Sequence, residues 1–109
     1  MVIVGVGCDV VDIDRIEKNQ EGLAQKVLSS SELAMYQTFK EKRKRTFLAG
    51  HFAAKEALVK AMDIPCLLSD FSIAYSATGK PIVEKAGYQI HLSISHDGNV
   101  AIAYAVVEK

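Results

Sequence analysis

The sequence lacks the features that mark several protein classes. Its 109 residues carry 13 acidic and 13 basic side chains, so the formal net charge is zero. Without net charge there is no overall basic field to hold nucleic acid or an anionic membrane, and any anion must be bound locally. Cys8 and Cys66 are the two cysteines, far apart and without metal-type spacing or a disulfide framework, the usage expected in a reducing compartment. Long apolar runs are missing too: the opening "MVIVGVGCDVV" lacks a basic start, is interrupted by Asp9 and is too short to span a bilayer. No repeat, low-complexity tract or linker divides the chain. These absences predict a soluble, cytoplasmic protein that binds neither nucleic acid nor membrane and folds as one domain over residues 1–109. At 50% hydrophobic composition, such a chain can build one core and is small enough to gain from oligomerisation.

What is present changes character along the chain. Residues 2–8, "VIVGVGC", are β-branched and glycine-rich, which predicts a short buried strand whose glycines admit another backbone, with Asp9 at its exit. "DVVDIDRIEK" then predicts a helix with Val11, Ile13 and Ile16 inward. Two further helices follow in "EGLAQKVLSSSELAMYQTFK". Ser29 to Ser31 with Glu32 forms a cap, and Leu33, Met35, Tyr36 and Phe39 form the buried stripe. The charged stretch "KEKRKR" (40–45) leads into a longer helix from Thr46 to Met62, which Pro65 ends. From Phe71 the pattern turns to strands: "FSIAY", "IVEK", "QIHLSIS" and "VAIAYAVV", separated by turns at "SATGKP", Ala86-Gly87 and "HDGN". The expected fold class is α+β, helices in the N-terminal half packed on a mainly antiparallel sheet that the first strand is free to join.

Three places carry candidate chemistry. On the long helix, Leu48, Phe52 and Val59 fall on one side and Ala53, Ala57 and Ala61 on another, and Glu56 and Lys60 share a narrow strip between them. An ordinary intrahelical pair at this spacing contributes roughly 0.2–0.5 kcal/mol. The flanking alanines, however, allow something to approach the strip closely. Asp9, after the apolar strand, either caps the next element or, with Glu56, holds magnesium, an ion typically bound by one or two carboxylates and substrate phosphates. "SISHDG" (93–98) ends a strand at Ser95-His96. With the turn at Gly79-Lys80-Pro81 it offers hydroxyl, imidazole, ammonium and free backbone N–H groups suited to phosphate oxygens.

Taken together, "GVGCDVVDIDRI" (5–16), "FLAGHFAAKEALVKA" (47–61), "GKP" (79–81) and "HLSISHDGNVAIAYAVVE" (91–108) resemble the holo-[acyl-carrier-protein] synthase family of phosphopantetheinyl transferases. The motifs are similar in order and spacing over nearly the whole chain. The resemblance implies magnesium-dependent transfer of the 4′-phosphopantetheine group from coenzyme A to a serine of an apo acyl carrier protein, releasing adenosine 3′,5′-bisphosphate, in the setting of fatty acid biosynthesis. It places the metal ligands at Asp9 and Glu56, catalytic roles at Glu56 and Lys60, and carrier-protein contacts at Arg15 and Arg43. Coenzyme A contacts are implied at Lys55, Lys80, Pro81, Ser95, His96 and His51. It also implies a homotrimer with active sites between subunits.

This chain departs from the family pattern in three respects. His51 stands where relatives commonly have arginine, and a neutral imidazole is not a guanidinium fork for the nucleotide's extra phosphate. "MDIPCLLSD" replaces a longer, glycine-rich loop. The first helix carries few basic residues beyond Arg15, Lys18 and Lys26, among Asp12, Asp14, Glu17 and Glu21. Two other readings share some of the residues: a magnesium-dependent hydrolase of a nucleotide pyrophosphate, and a non-catalytic oligomeric module in which Glu56 and Lys60 form only a salt bridge.

Overall fold

Strand β1 (Ile3–Asp12) runs along β5 (Val100–Glu108), which in turn pairs with β4 (Gln89–Asp97), so the first and last segments of the chain share one antiparallel sheet in the order β1-β5-β4. The computed structural model describes residues 1–109. Between β1 and the later strands come a single helical turn, α1 (Ile13–Ile16), then α2 (Gln20–Val27), α3 (Ser30–Gln37) and the long α4 (Glu41–Ala61). A short hairpin of β2 (Ala74–Tyr75) and β3 (Pro81–Ile82) precedes β4. β4 and β5 are joined through Gly98, whose φ of 56° suits a two-residue turn. The α+β architecture is the one expected.

The element boundaries differ from the sequence expectation where long-range pairing overrides local pattern. Asp9 to Asp12, expected to turn helical, stay in β1 opposite Ala103 to Val100. Val11 is therefore buried from a strand, and Asp9 stands within β1 instead of at its exit. Cross-strand bonds outweigh the weak helical period there. The cap duty moves to Asp12, whose Oδ1 accepts the Asp14 N–H at 3.1 Å and the Asn99 amide at 2.6 Å. Helix α4 begins at Glu41, not Thr46, because "EKRKR" contains no helix breaker. It ends at Ala61, ahead of Pro65. "FSIAY" keeps two residues in the hairpin, Ala74 and Tyr75, and "IVEK" only Ile82, though Phe71, Ile73 and Val83 are still buried. Of the expected stripe, Tyr36 is buried, Leu33 and Phe39, the latter just past the end of α3, are partly buried, and Met35 is exposed.

Helix α4 crosses the inner face of the sheet, and small side chains set how near it comes. Ala53, Ala54, Ala57 and Ala61 on the helix and Ala101, Ala103 and Ala105 on β5 are at most 1% exposed. Against β1 the helix is closer still. A Cβ on Gly7 would fall 1.9 Å from the Ala57 carbonyl oxygen, and one on Gly5 would fall 2.0 Å from that of Ala61. Only glycine fits at either position. The outer face of the sheet, by contrast, exposes Val6, Val10, Ile102 and Tyr104.

Because Gly7 faces backbone, which cannot swing aside, Gly7→Ala is expected to lower stability by about 1–3 kcal/mol or more. Gly50→Ala should cost less, since its new Cβ meets only the Ile94 Cγ2 methyl at 3.1 Å. Urea unfolding of the two variants checks the order.

Candidate active site

Two cavities open on opposite parts of α4. The first, about 350 Å³, lies between β1, α1 and α4 and is lined by Asp9, Asp12, Arg15, Phe52 and Glu56 among others. The β1–α4 packing creates it: once Gly7 lies on Ala57, the half-buried carboxylates of Asp9 and Glu56 open into one cleft. Lys60, one helical turn past Glu56, does not pair with it. Its ammonium instead donates to the Cys8 carbonyl at 3.0 Å and to Asp9 Oδ1 at 3.2 Å. That leaves its third N–H free for a ligand. No third carboxylate, histidine or thiolate joins Asp9 and Glu56. Two carboxylates beside open space suit magnesium, which keeps several waters and takes phosphate oxygens; they do not make a closed cage.

The second cavity, about 560 Å³, is basic. Lys40, Lys42, Arg43, His51, Tyr75 and His96 contribute to its lining, and no carboxylate does. Arg43 lies over the Phe39 ring, 4.3 Å from its centroid, which holds the guanidinium at the cavity edge. His96 and Ile94 reach the cavity from the same face of β4.

Behind the basic cavity lies a buried polar cluster centred on Glu32. Ser29 and Glu32 form the expected capping box: Glu32 accepts the Ser29 N–H at 2.7 Å, and the Glu32 N–H turns to Ser29 Oγ at 3.4 Å. The same carboxylate accepts the Ile73 N–H at 2.6 Å and the Lys55 ammonium at 2.6 Å. Lys55 also donates to the Val27 carbonyl at 2.8 Å. The His51 Nδ1 lies 3.3 Å from Glu32 Oε2, close enough for attraction but not aligned as a hydrogen bond. Burial alone would raise the Glu32 pKa, yet the His51, Lys55, Ser29 and Ile73 partners outweigh it and hold the carboxyl down at about 2. On its other side, His51 Nε2 is 2.8 Å from the Tyr75 hydroxyl.

These positions correct several expectations. Lys55, expected near cofactor phosphates, is 0% exposed and turned to Glu32 and Val27, so no ligand reaches it. Ser95 points to the outer face of β4, opposite His96, and lines neither cavity. Lys80 and Pro81 also lie outside both linings. In the turn at Gly79-Lys80-Pro81, the N–H groups of Gly79 and Lys80 are already taken by the Ser76 carbonyl and hydroxyl. Arg43, expected at a carrier-protein contact, lines the same cavity as His51 and His96. Tyr75 and the second role of Glu32 were not anticipated. The capping pattern around Glu32 was legible, but nothing local to either residue reports a neighbour across the fold.

Nearly the whole chain is similar to known proteins. Residues 5–105 match the family described as the 4'-phosphopantetheinyl transferase superfamily. The chain is 35% identical to the holo-[acyl-carrier-protein] synthase of Staphylococcus haemolyticus, with 99% of this chain and 98% of that protein covered. It is 38% identical to the one from Streptococcus equi subsp. zooepidemicus, with 98% of each covered. Among solved structures, the Bacillus anthracis holo-(acyl-carrier-protein) synthase in complex with CoA (3',5'-ADP) superposes with a TM-score of 0.91 at 34% identity, covering 98% of this chain and 97% of that one. The Helicobacter pylori synthase in complex with coenzyme A gives a TM-score of 0.79 at 32% identity, over 94% and 99%.

The Glu32 cluster predicts a stability effect separable from activity. Lys55→Met leaves a buried carboxylate with too few partners and is expected to cost about 3–5 kcal/mol in thermal or chemical denaturation. The wild type should in turn lose stability in acid. Because the folded pKa is depressed from 4.5 to about 2, the Glu32 contribution is complete above the upper value and drains away as pH falls through the lower one. Comparing the acid unfolding of wild type and Glu32→Gln over that window checks the assignment.

Proposed function

The chain belongs to the 4'-phosphopantetheinyl transferase superfamily, and from that membership and the two cavities we propose how its residues divide the work. The protein is a holo-[acyl-carrier-protein] synthase: it transfers the 4′-phosphopantetheine group from coenzyme A to a serine of apo acyl carrier protein. The observation that carries the division of labour is the meeting of Asp9, Glu56 and Lys60 at one end of α4.

Asp9 and Glu56 would hold magnesium, which when bound supplies positive charge against the pyrophosphate of coenzyme A. The carrier serine is the nucleophile, so the protein needs none of its own. Its hydroxyl attacks the phosphorus bearing the pantetheine arm, the bond to the adenylate phosphate breaks, and adenosine 3′,5′-bisphosphate leaves. Glu56 takes the serine proton through a water, and the free N–H of Lys60 stabilises the departing phosphate. Arg15, which lines the carboxylate cleft, would meet an acidic carrier protein. The basic cavity takes the nucleotide end through Arg43 and His96, with Lys40 and Lys42 adding charge.

The outer sheet face supports a homotrimer. Val6, Val10, Ile102 and Tyr104 are 42–63% exposed and adjacent across β1 and β5, and a second copy of the chain would cover them. No helix is long and apolar enough to cross a membrane. A cytoplasmic setting fits the separate free cysteines.

Two experiments test this reading. Incubating apo acyl carrier protein with the enzyme, coenzyme A and magnesium should add the mass of one phosphopantetheine group, with Glu56→Gln slower by about 100-fold or more and a chelator abolishing the gain. Cleavage of coenzyme A without any mass gain would mean a hydrolase instead. Ile102→Glu should dissociate the assembly and lower activity with it; sedimentation of a trimer that survives this change would remove the sheet face from the interface.

A further inference from the structure

His51 offers a ligand almost no surface, because it is 1% exposed and its ring is stacked on Phe47 with centroids 4.0 Å apart. Its Nε2 meets the cavity through Tyr75. The hydroxyl lies 2.8 Å from Nε2 on a residue that is 39% exposed. We propose that His51 and Tyr75 form a proton-coupled phosphate reader: a phosphate dianion entering the basic cavity receives the Tyr75 O–H as a hydrogen bond, and His51 takes one proton from solvent so that Nε2–H can hold the Tyr75 oxygen in turn. This rests on the reading of that cavity as the site of the nucleotide end of coenzyme A.

The hydrogen-bond inventory requires the coupling. An ionised Glu32 faces Nδ1, so the ring proton belongs there and Nε2 carries a lone pair. Tyr75 must then donate to Nε2, and its oxygen shows the cavity only lone pairs, which repel phosphate. Burial, and after it the Glu32 charge, raises the Tyr75 pKa, so the phenol keeps its proton and cannot escape the conflict by ionising. For Tyr75 to donate outward, its O–H must rotate away, and the bond to His51 survives only if Nε2 carries a proton; moving the ring's own proton there would turn a bare Nδ1 lone pair on the Glu32 carboxylate, so the proton comes from solvent.

The surrounding charges explain why the phosphate triggers the change. Facing the imidazole are Glu32 from α3, Tyr75 from β2 and, one turn along α4, Lys55. Lys55 already takes up the Glu32 charge at 2.6 Å, so Glu32 alone does not balance an imidazolium. Lys40 just before α4, Lys42 and Arg43 on α4, and His96 on β4 add only positive charge or none. The missing negative charge arrives with the ligand. An arginine at position 51 would be charged whether or not a ligand was present; this pair acquires its charge on binding.

Calorimetry of the intact enzyme provides the test. Coenzyme A is titrated near about pH 7.5, where a phosphate monoester with second pKa of about 6 is already a dianion, in two buffers of different ionisation enthalpy. Dephospho-coenzyme A, which lacks the 3′-phosphate, is the comparison ligand. The expected result is uptake approaching one proton with coenzyme A and none with dephospho-coenzyme A. The affinity for coenzyme A should weaken toward alkaline pH by at most about tenfold per unit, the limit for one linked proton. Tyr75→Phe, which removes one oxygen at a partly exposed site, and His51→Gln should each abolish the uptake and flatten the pH profile. Uptake that persists in folded Tyr75→Phe would assign the proton to another group, such as His96, and overturn the proposal. Coenzyme A binding without proton uptake by the wild type would overturn it too while leaving the transferase reading intact; failure to bind coenzyme A at all would sink both.

Discussion

The contact on which the rest of the structure depends is between two backbones: β1 at Gly5 and Gly7 lies directly on the carbonyls of Ala61 and Ala57 in α4. One methyl group at either glycine would collide with helix backbone, and neither side has a flexible group that could yield. Since the strand also pairs with β5 residue by residue, its position along the helix is set from both sides. Asp9, two residues past Gly7, is thereby delivered to the cleft of Glu56 and the ammonium of Lys60. A slip of one residue would turn Asp9 to the outer face of the sheet. The geometry of the carboxylate cleft is thus secured by closely packed, apolar parts of the molecule.

A second constraint operates at the other end of α4. Glu32 joins the N-terminus of α3, the middle of α4 and the segment leading to β2, because its two oxygens accept from Ser29, Lys55 and Ile73 while one faces His51. A buried ion pair of this kind contributes less to net stability than its short distances suggest, since both groups were stripped of water. Its value lies in orientation. With Lys55 satisfied and His51 held between Glu32 and Tyr75, the wall of the basic cavity has one arrangement of donors and acceptors.

Helix α4 therefore serves three surroundings around one cylinder. Its alanine face packs on the sheet, the Glu56 and Lys60 strip meets the carboxylate cleft, and the turns bearing Arg43 and His51 meet the basic cavity. The two cavities differ in character: one brings carboxylates together beside an ammonium, and the other gathers cations without a carboxylate. The outward face of the sheet is left apolar, and a chain of 109 residues has little other surface with which to bury more area.

By itself the sequence determined the fold class, the long amphipathic helix, the glycines where a backbone would come near and the narrow strip of Glu56 and Lys60. All of these are written in spacing at the helical or strand period and in residue size, which are local properties. The capping box at Ser29 and Glu32 was legible for the same reason. Tertiary structure alone decided that β1 continues to Asp12, that Lys60 reaches Asp9 and not Glu56, and that Lys55 is a buried counter-ion. It alone turned Ser95 away from His96 and brought Tyr75 against His51. Each of these depends on a partner far along the chain. A charged side chain on a helix gives no sign of whether it faces water, a ligand or an opposite charge, because its local pattern is the same in all three cases; only the packed neighbours, and the water they exclude, decide which it meets.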